Sequence, residues 1–249
     1  MVLTLDCGNS LIKIGVFDDE KLISVYKINT TSSRSSDEYA KIFKDLIKDE
    51  GSFSGAIISS VVPLLTHDLS VAIKKAFNVK PLIVDKTLKT KLPLKIDNPN
   101  ELGSDLLCGA IGAINKYKYP LVVADLGTAT KMYIIDKNGN YIGGMISSGM
   151  RINLEALVNN TAQLLETPIE APKHVICKNT KECIQSGIVY GQAFMISEFA
   201  RRMEKELGYT LDRVLTGGFS EFINDQVVCY HYEPNLVLDG LYQVYKNNI

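Results

Sequence analysis

A strand hairpin that occurs twice constrains this chain more than any other feature. In the first copy, "LTLDCGNSLIKIGVF", an apolar strand ends at Asp6, turns through Gly8 and continues as a second alternating strand. The second copy, "LVVADLGTATKMYII", repeats this order with Asp125 and Gly127. Alternation on both sides of a glycine turn is typical of paired antiparallel strands. The repeat therefore predicts two halves with a similar architecture.

Strands and helices alternate after the first hairpin. A helix is predicted after Ser36, which can cap it, because apolar residues from Tyr39 to Ile47 fall on one helical face. The strand "GAIISS", the helix "DLSVAIKKAF" and the strand "PLIVD" follow. This order predicts α/β sheets, and we divide the chain into domains 1–116 and 117–249.

Composition excludes several classes of function. The chain has 249 residues, 46% apolar residues and a net charge of −1, so it can bury a core and offers no basic surface for nucleic acid. No apolar run approaches the ~18–20 residues of a membrane span, and the start is typical of a strand, not a signal peptide. The five scattered cysteines contain no CxxC motif, which favours free thiols and the cytoplasm.

The two turns are suited to phosphate and a metal ion. A glycine between strands lets a ligand approach the backbone, and successive N–H groups form an anion site. Asp6 and Asp125 have the wrong charge for phosphate, but they suit the cation that accompanies it, such as Mg²⁺. Side-chain hydrogen-bond partners for phosphate surround the turns at Asn9, Ser10, Thr128 and Thr130. One such turn alone is usually structural, whereas a matched pair across a cleft predicts a polyphosphate site.

The paired hairpins resemble the acetate and sugar kinase/actin-like ATPase superfamily. The other common nucleotide motifs, GxxxxGK[ST] and GxGxxG, are absent. The resemblance implies an α/β fold of two duplicated actin-like (ribonuclease H-like) domains with a nucleotide cleft between them. It also implies a Gly-Gly turn near the adenosine, and Gly217 and Gly218 in "LTGGFSEF" have the right order for it.

Further motifs narrow the resemblance from this superfamily to one family. Nine segments, in order, are similar to type III pantothenate kinase: DCGNSLIKIGVF, ISSVVP, NPNELGSD, ADLGTATK, GGMISSGM, LEALVNNTAQL, KNTKECIQSGIVYG, LTGGFSE and PNLVLDGL. The resemblance implies ATP-dependent phosphorylation of pantothenate to 4′-phosphopantothenate, the first step of coenzyme A biosynthesis. It also implies Mg²⁺, K⁺ or NH₄⁺, and a homodimer.

The resemblance carries roles onto residues of this chain. The Gly-x-Asp motif falls on Gly103, Ser104 and Asp105, which implies that Asp105 is the general base and that all three contact pantothenate. Thr180 corresponds to a position that reaches the substrate of the partner subunit. Without the resemblance, Ser104 and Asp105 would be interpreted as a helix start, and Thr180 as a helix cap.

The remaining implied roles concern ATP and ions. Asp6 would hold Mg²⁺ through water, and Asp125 would hold the monovalent cation. The residues expected to contact ATP or its phosphates are Asp6, Gly8, Asn9, Ser10, Lys13, Gly127, Thr128, Thr130, Gly217 and Gly218.

Four positions depart from the family pattern. Leu106 stands where the family has Arg, Ile96 where it has Tyr, Lys131 where it has Thr, and Ser148 where it has Pro. Loss of Arg and Tyr removes polar contacts for the substrate but leaves the general base. Two alternatives therefore stay open: a kinase of the same fold acting on another small hydroxy acid, or a non-catalytic nucleotide-binding regulator similar to transcription accessory factors.

Overall fold

Two five-stranded sheets form the framework, in a computed structural model that describes residues 1–249. The strands of the first sheet are β1 (Val2–Cys7), β2 (Leu11–Asp18), β3 (Lys21–Asn29), β4 (Gly55–Ser60) and β5 (Leu82–Ile83). Their spatial order is β3-β2-β1-β4-β5. The first three strands form an antiparallel meander, and β4 pairs parallel with β1.

The second sheet repeats this topology. Its strands are β6 (Leu121–Leu126), β7 (Ala129–Ile135), β8 (Tyr141–Ser148), β9 (Asp212–Thr216) and β10 (Tyr230–Tyr232), in the order β10-β9-β6-β7-β8. Here β6, β7 and β8 form the antiparallel meander, and β9 pairs parallel with β6. Each strand from β1 to β5 thus has its counterpart in β6 to β10.

The duplication extends to single residue pairs. Asp6 faces Lys13 across the β1–β2 hairpin, and Asp125 faces Lys131 across the β6–β7 hairpin. On its other side Asp6 is in register with Ser59 of β4. Asp125 is in register with a β9 residue in the same way. The two hairpins are therefore equivalent in topology and in the position of their acidic residues.

Six helices accompany the sheets. They are α1 (Ser36–Leu46), α2 (Pro63–Phe77), α3 (Ser104–Lys116), α4 (Met150–Asn159), α5 (Thr180–Leu207) and α6 (Leu236–Lys246). The cap of α1 is Ser35 and not Ser36: Ser35 and Glu38 form a capping box, in which each side chain bonds the other residue's N–H. No helix is long and apolar enough to cross a membrane.

The chain forms two compact units, and we describe each by itself. Unit 1 comprises Met1–Leu92, Asp97–Lys116 and Leu236–Ile249, and unit 2 comprises Pro93–Ile96 and Tyr117–Asn235. The sequence predicts a single division after residue 116, with 117–249 as the second domain. In the structure the last helix instead packs in unit 1, and a four-residue segment of the first half packs in unit 2.

Each unit has its own hydrophobic core. In unit 1, the sheet packs against α1 and α2 through residues that include Leu5, Ile12, Ile14, Tyr39, Phe43, Ile58, Leu69 and Ile73. In unit 2, the core includes Val122, Ala124, Met132, Leu154, Val189, Ile196 and Leu215. The central strands β1 and β6 are buried along almost their whole length, which is why they are nearly continuous apolar runs in sequence.

Helix α6 is fixed in unit 1 by a close crossing with α3. A Cβ on Gly240 would lie 1.8 Å from Cys108 O, and a Cβ on Gly112 would lie 2.3 Å from Leu236 O. Only glycine permits such an approach of two helix backbones. This contact holds the N-terminal half of α3, and with it Asp105, against the rest of unit 1.

Candidate active site

The first turn, residues 6–10, joins β1 to β2 in unit 1. The Gly8 N–H donates to Leu11 O at 3.0 Å. Thr30 holds the turn from β3: its hydroxyl donates to Gly8 O at 2.7 Å, and its N–H donates to Ser10 O at 3.0 Å. The side chains of Asn9 and Ser10 are exposed at the tip. The backbone of this turn is therefore fixed while its polar side chains face solvent.

The start of α3 lies beside the same edge of the sheet. Ser104 Oγ is 2.9 Å from Ser59 Oγ, and Ser59 is the strand neighbour of Asp6. A Cβ on Gly103 would lie 2.5 Å from Asp105 Oδ1. The Asp105 carboxylate thus lies directly over the α-carbon of Gly103, where any larger residue would displace it. Glycine at position 103 therefore allows this orientation of the Asp105 carboxylate.

Asp6 and Asp105 lie close to one buried thiol. Burial raises the pKa of Cys108 well above its usual range, and the negative charges of Asp6 and Asp105 raise it further. Cys108 therefore stays a neutral thiol and is not a nucleophile. The Ser59–Ser104 hydrogen bond and the pairing of Asp6 with Ser59 bring these two predicted site residues to the same end of unit 1.

The second turn, residues 125–130, joins β6 to β7 in unit 2. The Gly127 N–H donates to Ala129 O at 3.1 Å, and Thr128 is exposed at the tip. Gly149, the cap of α4, donates its N–H to Thr128 O at 3.1 Å. A Cβ on Gly149 would lie 2.4 Å from that oxygen. The N-terminus of α4 is consequently pressed against the second turn.

The Gly-Gly turn packs on the second turn as well. Gly217 has a φ of +98°, and a Cβ there would lie 2.4 Å from both Leu126 N and Leu126 O. The Phe219 N–H donates to Leu126 O at 2.9 Å. Gly218 is exposed and has open space where a Cβ would lie. The structure therefore brings Gly217 and Gly218 together with the second turn; their contact with adenosine stays a prediction.

Thr130 does not lie at the rim of the second turn. It is 1% exposed, and its hydroxyl accepts a hydrogen bond from Gln192 Nε2 of α5 at 2.7 Å. Gln192 is itself 4% exposed, and the sequence analysis did not single it out. The pair links the hairpin to the long helix; a contact of Thr130 with phosphate remains a prediction.

Asp125 forms an ion pair inside unit 2. Its Oδ2 is 2.9 Å from Lys131 Nζ, and the two side chains are 10% and 17% exposed. A second cation about 4 Å from the ammonium would meet a repulsion of ~4 kcal/mol at an effective dielectric constant of 20. The Lys131 ammonium therefore weakens the binding of an added K⁺ or NH₄⁺ at the Asp125 carboxylate, and the role that the resemblance implies for Asp125 stays a prediction.

Mg²⁺ fits the first turn better. Mg²⁺ takes one or two carboxylates and completes its shell with water and phosphate oxygens. Asp6 and Asp105 supply half-exposed carboxylates there. No group of three or more His, Cys, Asp or Glu residues is arranged to hold a metal, so most ligands of such an ion would come from water and phosphate.

The residues that the resemblance associates with the substrate belong to both units. Leu106 is half-buried in α3. Ile96 belongs to the segment Pro93–Ile96, which pairs with β8 through the Lys95 N–H and Tyr141 O at 2.8 Å. Thr180 is the exposed first residue of α5, and its neighbour Asn179 is the cap, because Asn179 Oδ1 accepts from the Glu182 N–H.

The sheets and turns define the class of protein: two mixed five-stranded α/β units of the actin-like ATPase fold. The chain belongs to the type III pantothenate kinase family, whose model matches residues 2–202. This family is one of kinases, which use ATP with a divalent metal.

Solved structures share the fold at low sequence identity. A protein assigned to the Baf family of transcriptional activators, from Campylobacter jejuni, has 16% identity and a TM-score of 0.62, with 98% of this chain and 97% of that chain covered. The activator of 2-hydroxyisocaproyl-CoA dehydratase from Clostridium difficile, solved with ADPNP, has 10% identity and a TM-score of 0.51, with 99% and 95% covered. A protein assigned as an N-acetylmannosamine kinase from Listeria monocytogenes has 11% identity and a TM-score of 0.53, with 98% of both chains covered.

Proposed function

We propose that this protein transfers the terminal phosphate of ATP to the primary hydroxyl of pantothenate, giving 4′-phosphopantothenate. The observation that carries the proposal is the position of Asp105, whose carboxylate lies over Gly103 at the start of α3, next to Ser104, which hydrogen-bonds Ser59, the strand neighbour of Asp6. Together with the family match, this supplies the carboxylate that the reaction needs.

Asp105 acts as the general base. Phosphoryl transfer depends on a nucleophile held in line, and a carboxylate can accept the proton of the attacking hydroxyl. The Ser59–Ser104 hydrogen bond fixes the first turn of α3 and so orients the Asp105 side chain. Gly103 leaves space for the Asp105 carboxylate, since a Cβ at position 103 would occupy that space. The proton moves from the pantothenate hydroxyl to Asp105 as the hydroxyl oxygen bonds to the terminal phosphorus of ATP, while the bond from that phosphorus to the bridging oxygen breaks and ADP leaves.

Each turn offers groups that can bind phosphate. The exposed Asn9, Ser10 and Thr128 offer side-chain hydrogen bonds, and the glycine turns expose backbone N–H groups. Lys13 faces Asp6 in the first hairpin and adds positive charge there. Asp6 would hold Mg²⁺ through water; the bound ion neutralises charge on the phosphates. Gly217 and Gly218 lie beside the second turn, where the adenosine would bind.

We also propose that the protein works as a homodimer through unit 2. Large apolar side chains are exposed on α4, α5 and the segment between them: Ile152, Leu157, Leu165, Ile176, Phe194 and Phe199. On α5, Gly187 and Gly191 are exposed, with open space beside them. A helix of a second copy could approach this surface closely and cover the apolar residues. Thr180 at the exposed start of α5 would then reach the substrate of the neighbour.

Light scattering tests the dimer. The wild-type protein should be dimeric at micromolar concentration, and Phe194→Glu should shift it to a monomer, because a charge cannot be buried unpaired in an apolar interface. A control variant must not disturb the core of unit 2, as Phe219→Glu would, because Phe219 packs against that core. Lys181→Glu, an exposed charge change on the same helix, is the control and should leave the dimer intact. A wild-type monomer that is fully active would contradict the proposal.

A substrate panel tests the reaction itself. Mass spectrometry of mixtures of small hydroxy acids, incubated with ATP and Mg²⁺, should show phosphorylation of pantothenate in preference to the others. Phosphorylation of a different hydroxy acid would favour the same-fold kinase alternative. Tight nucleotide binding without transfer to any acceptor would favour the regulator. Leu106 and Ile96 keep the first alternative open, because neither can form the polar contacts of the residues they replace.

A further inference from the structure

The ion pair at the second turn has no part in the roles proposed above. Asp125 Oδ2 and Lys131 Nζ lie 2.9 Å apart, and both side chains are largely buried. Removing two opposite charges from water is costly, and apolar residues of similar size often replace a buried pair without loss of stability. A largely buried pair at this position therefore suggests a role beyond stability.

The pair lies at the base of the turn. Asp125 and Lys131 face each other across the hairpin, and only the Leu126–Thr130 pair lies between them and the tip of the turn. Gly127, Thr128 and the N-terminus of α4 lie beyond that pair. These groups present N–H donors and a hydroxyl, which are ligands for an anion. A fixed positive charge behind them would strengthen phosphate binding at the turn.

We infer that the Lys131 ammonium is a built-in cation of the second turn and replaces a dissociable monovalent ion there. The ammonium carries the same single charge as K⁺ or NH₄⁺ and occupies the carboxylate oxygen that would hold such an ion. The protein then binds nucleotide and transfers phosphate equally well in the presence or absence of those ions. This inference rests on the proposed function for its nucleotide, but not on the identity of the acceptor.

The test measures binding of a non-hydrolysable ATP analogue by calorimetry, with Mg²⁺, in tetramethylammonium, potassium or ammonium chloride at equal ionic strength. The wild-type protein should have the same affinity in all three salts. Lys131→Ala removes the charge and leaves room for an ion. Its affinity in tetramethylammonium should fall by about 10- to 100-fold, as expected for loss of a charge-assisted contact. Potassium or ammonium should restore most of that loss.

An ion pair at the other end of the same sheet supplies the matched control. Arg213 Nη2 lies 3.0 Å from Glu204 Oε2, and the two side chains are 22% and 19% exposed. Arg213 is three residues along β9 from the strand position beside Asp125, about 10 Å away. Arg213→Ala should lower the melting temperature without changing nucleotide affinity or its response to potassium. Lys131→Arg, which retains the charge, should bind nucleotide better than Lys131→Ala in tetramethylammonium.

The outcomes separate this inference from the proposed function. If nucleotide affinity follows the predicted pattern but pantothenate is not phosphorylated, the substrate assignment is wrong and the inference holds. A wild-type protein that requires potassium for tight binding, or that binds no nucleotide, would overturn the inference. So would a folded Lys131→Ala protein whose affinity is unchanged, or is lowered with no recovery in potassium or ammonium.

Discussion

The two turns have the same topology but differ in how their acidic residues are used. In the first turn Asp6 is half-exposed, and α3 brings a second carboxylate, Asp105, to the same end of the unit. In the second turn Asp125 is 7% exposed and is paired with Lys131. The first turn therefore has two half-exposed carboxylates near it, whereas the acid of the second turn is buried and the groups around it are mainly hydrogen-bond donors.

The residues around the two turns also differ in how far they are exposed. Thr30 bonds to backbone atoms of the first turn, so the polar side chains of Asn9 and Ser10 stay exposed. The second turn is covered by Gly149 and Gly217, and Thr130 is tied to Gln192 in the interior. The two hairpins thus have the same framework, but the residues around them leave the side chains of the first turn more exposed than those of the second.

The largest effect is expected at Asp105. Asp105→Asn keeps the shape of the side chain but cannot accept a proton, so the rate of transfer at saturating ATP should fall by about 10²- to 10⁴-fold. Nucleotide affinity should change little, because the base acts on the acceptor. Steady-state kinetics and calorimetry measure the two effects separately. Asp45→Asn, an exposed residue of α1, is the control, and a decrease of less than about fivefold in Asp105→Asn would make Asp105 only a helix-start residue.

Asp125 should matter most for stability. Asp125→Asn leaves the Lys131 ammonium largely buried without its counter-charge, which typically costs about 3–5 kcal/mol. Asp6→Asn removes a half-exposed charge and should cost clearly less, although it should impair Mg²⁺-dependent transfer. Urea unfolding monitored by circular dichroism compares the two free energies of unfolding. Equal losses at the two positions would mean that the turns do not differ as described.

The Thr130–Gln192 hydrogen bond should contribute a smaller amount. Either Thr130→Val or Gln192→Leu leaves a buried polar group unsatisfied, at a cost of about 1–3 kcal/mol. The double variant should cost less than the sum of the single variants, because no unsatisfied partner remains. Urea unfolding of the four proteins completes the double-mutant cycle, and strict additivity would show that the hydrogen bond is not formed in solution.

The smallest effect is expected at Leu106. Leu106→Arg restores the guanidinium of the family pattern and should lower the KM for pantothenate by about tenfold, with little change in the KM for ATP. Leu106→Met, which alters shape without adding charge, is the control and should leave both values nearly unchanged. If Leu106→Arg has no effect on an active, folded enzyme, another cation already binds the substrate carboxylate.

The sequence predicted the local features of this protein well. Alternation and glycine turns are properties of short segments, so both hairpins, the position of Asp6 and Asp125 at strand ends, and the α/β class were accessible. The start of α3 at Ser104 was also predicted from an apolar run after a polar pair. The α1 cap was misplaced by one residue, since both Ser35 and Ser36 are able to accept the hydrogen bond.

Contacts that depend on strand register or that join distant segments were not accessible in this way. The Asp125–Lys131 pair depends on the register of the hairpin, and Lys131 was noted in sequence only as a departure from the family. Gln192 reaches Thr130 over 62 positions of sequence, and nothing in its helix distinguishes it. The packing of α6 in unit 1 depends on Gly112 and Gly240. The two glycines are far apart in the sequence, so nothing in either segment predicts that their helices cross.

The most direct test of the account is the identity of the product formed by the wild-type protein. The protein, ATP, Mg²⁺ and pantothenate are incubated in tetramethylammonium buffer, and phosphorus and proton NMR follow the reaction. The account predicts one phosphomonoester, on the primary hydroxyl of pantothenate, and an equal amount of ADP. Unchanged pantothenate, in a protein that binds nucleotide tightly and with potassium also supplied, would contradict it.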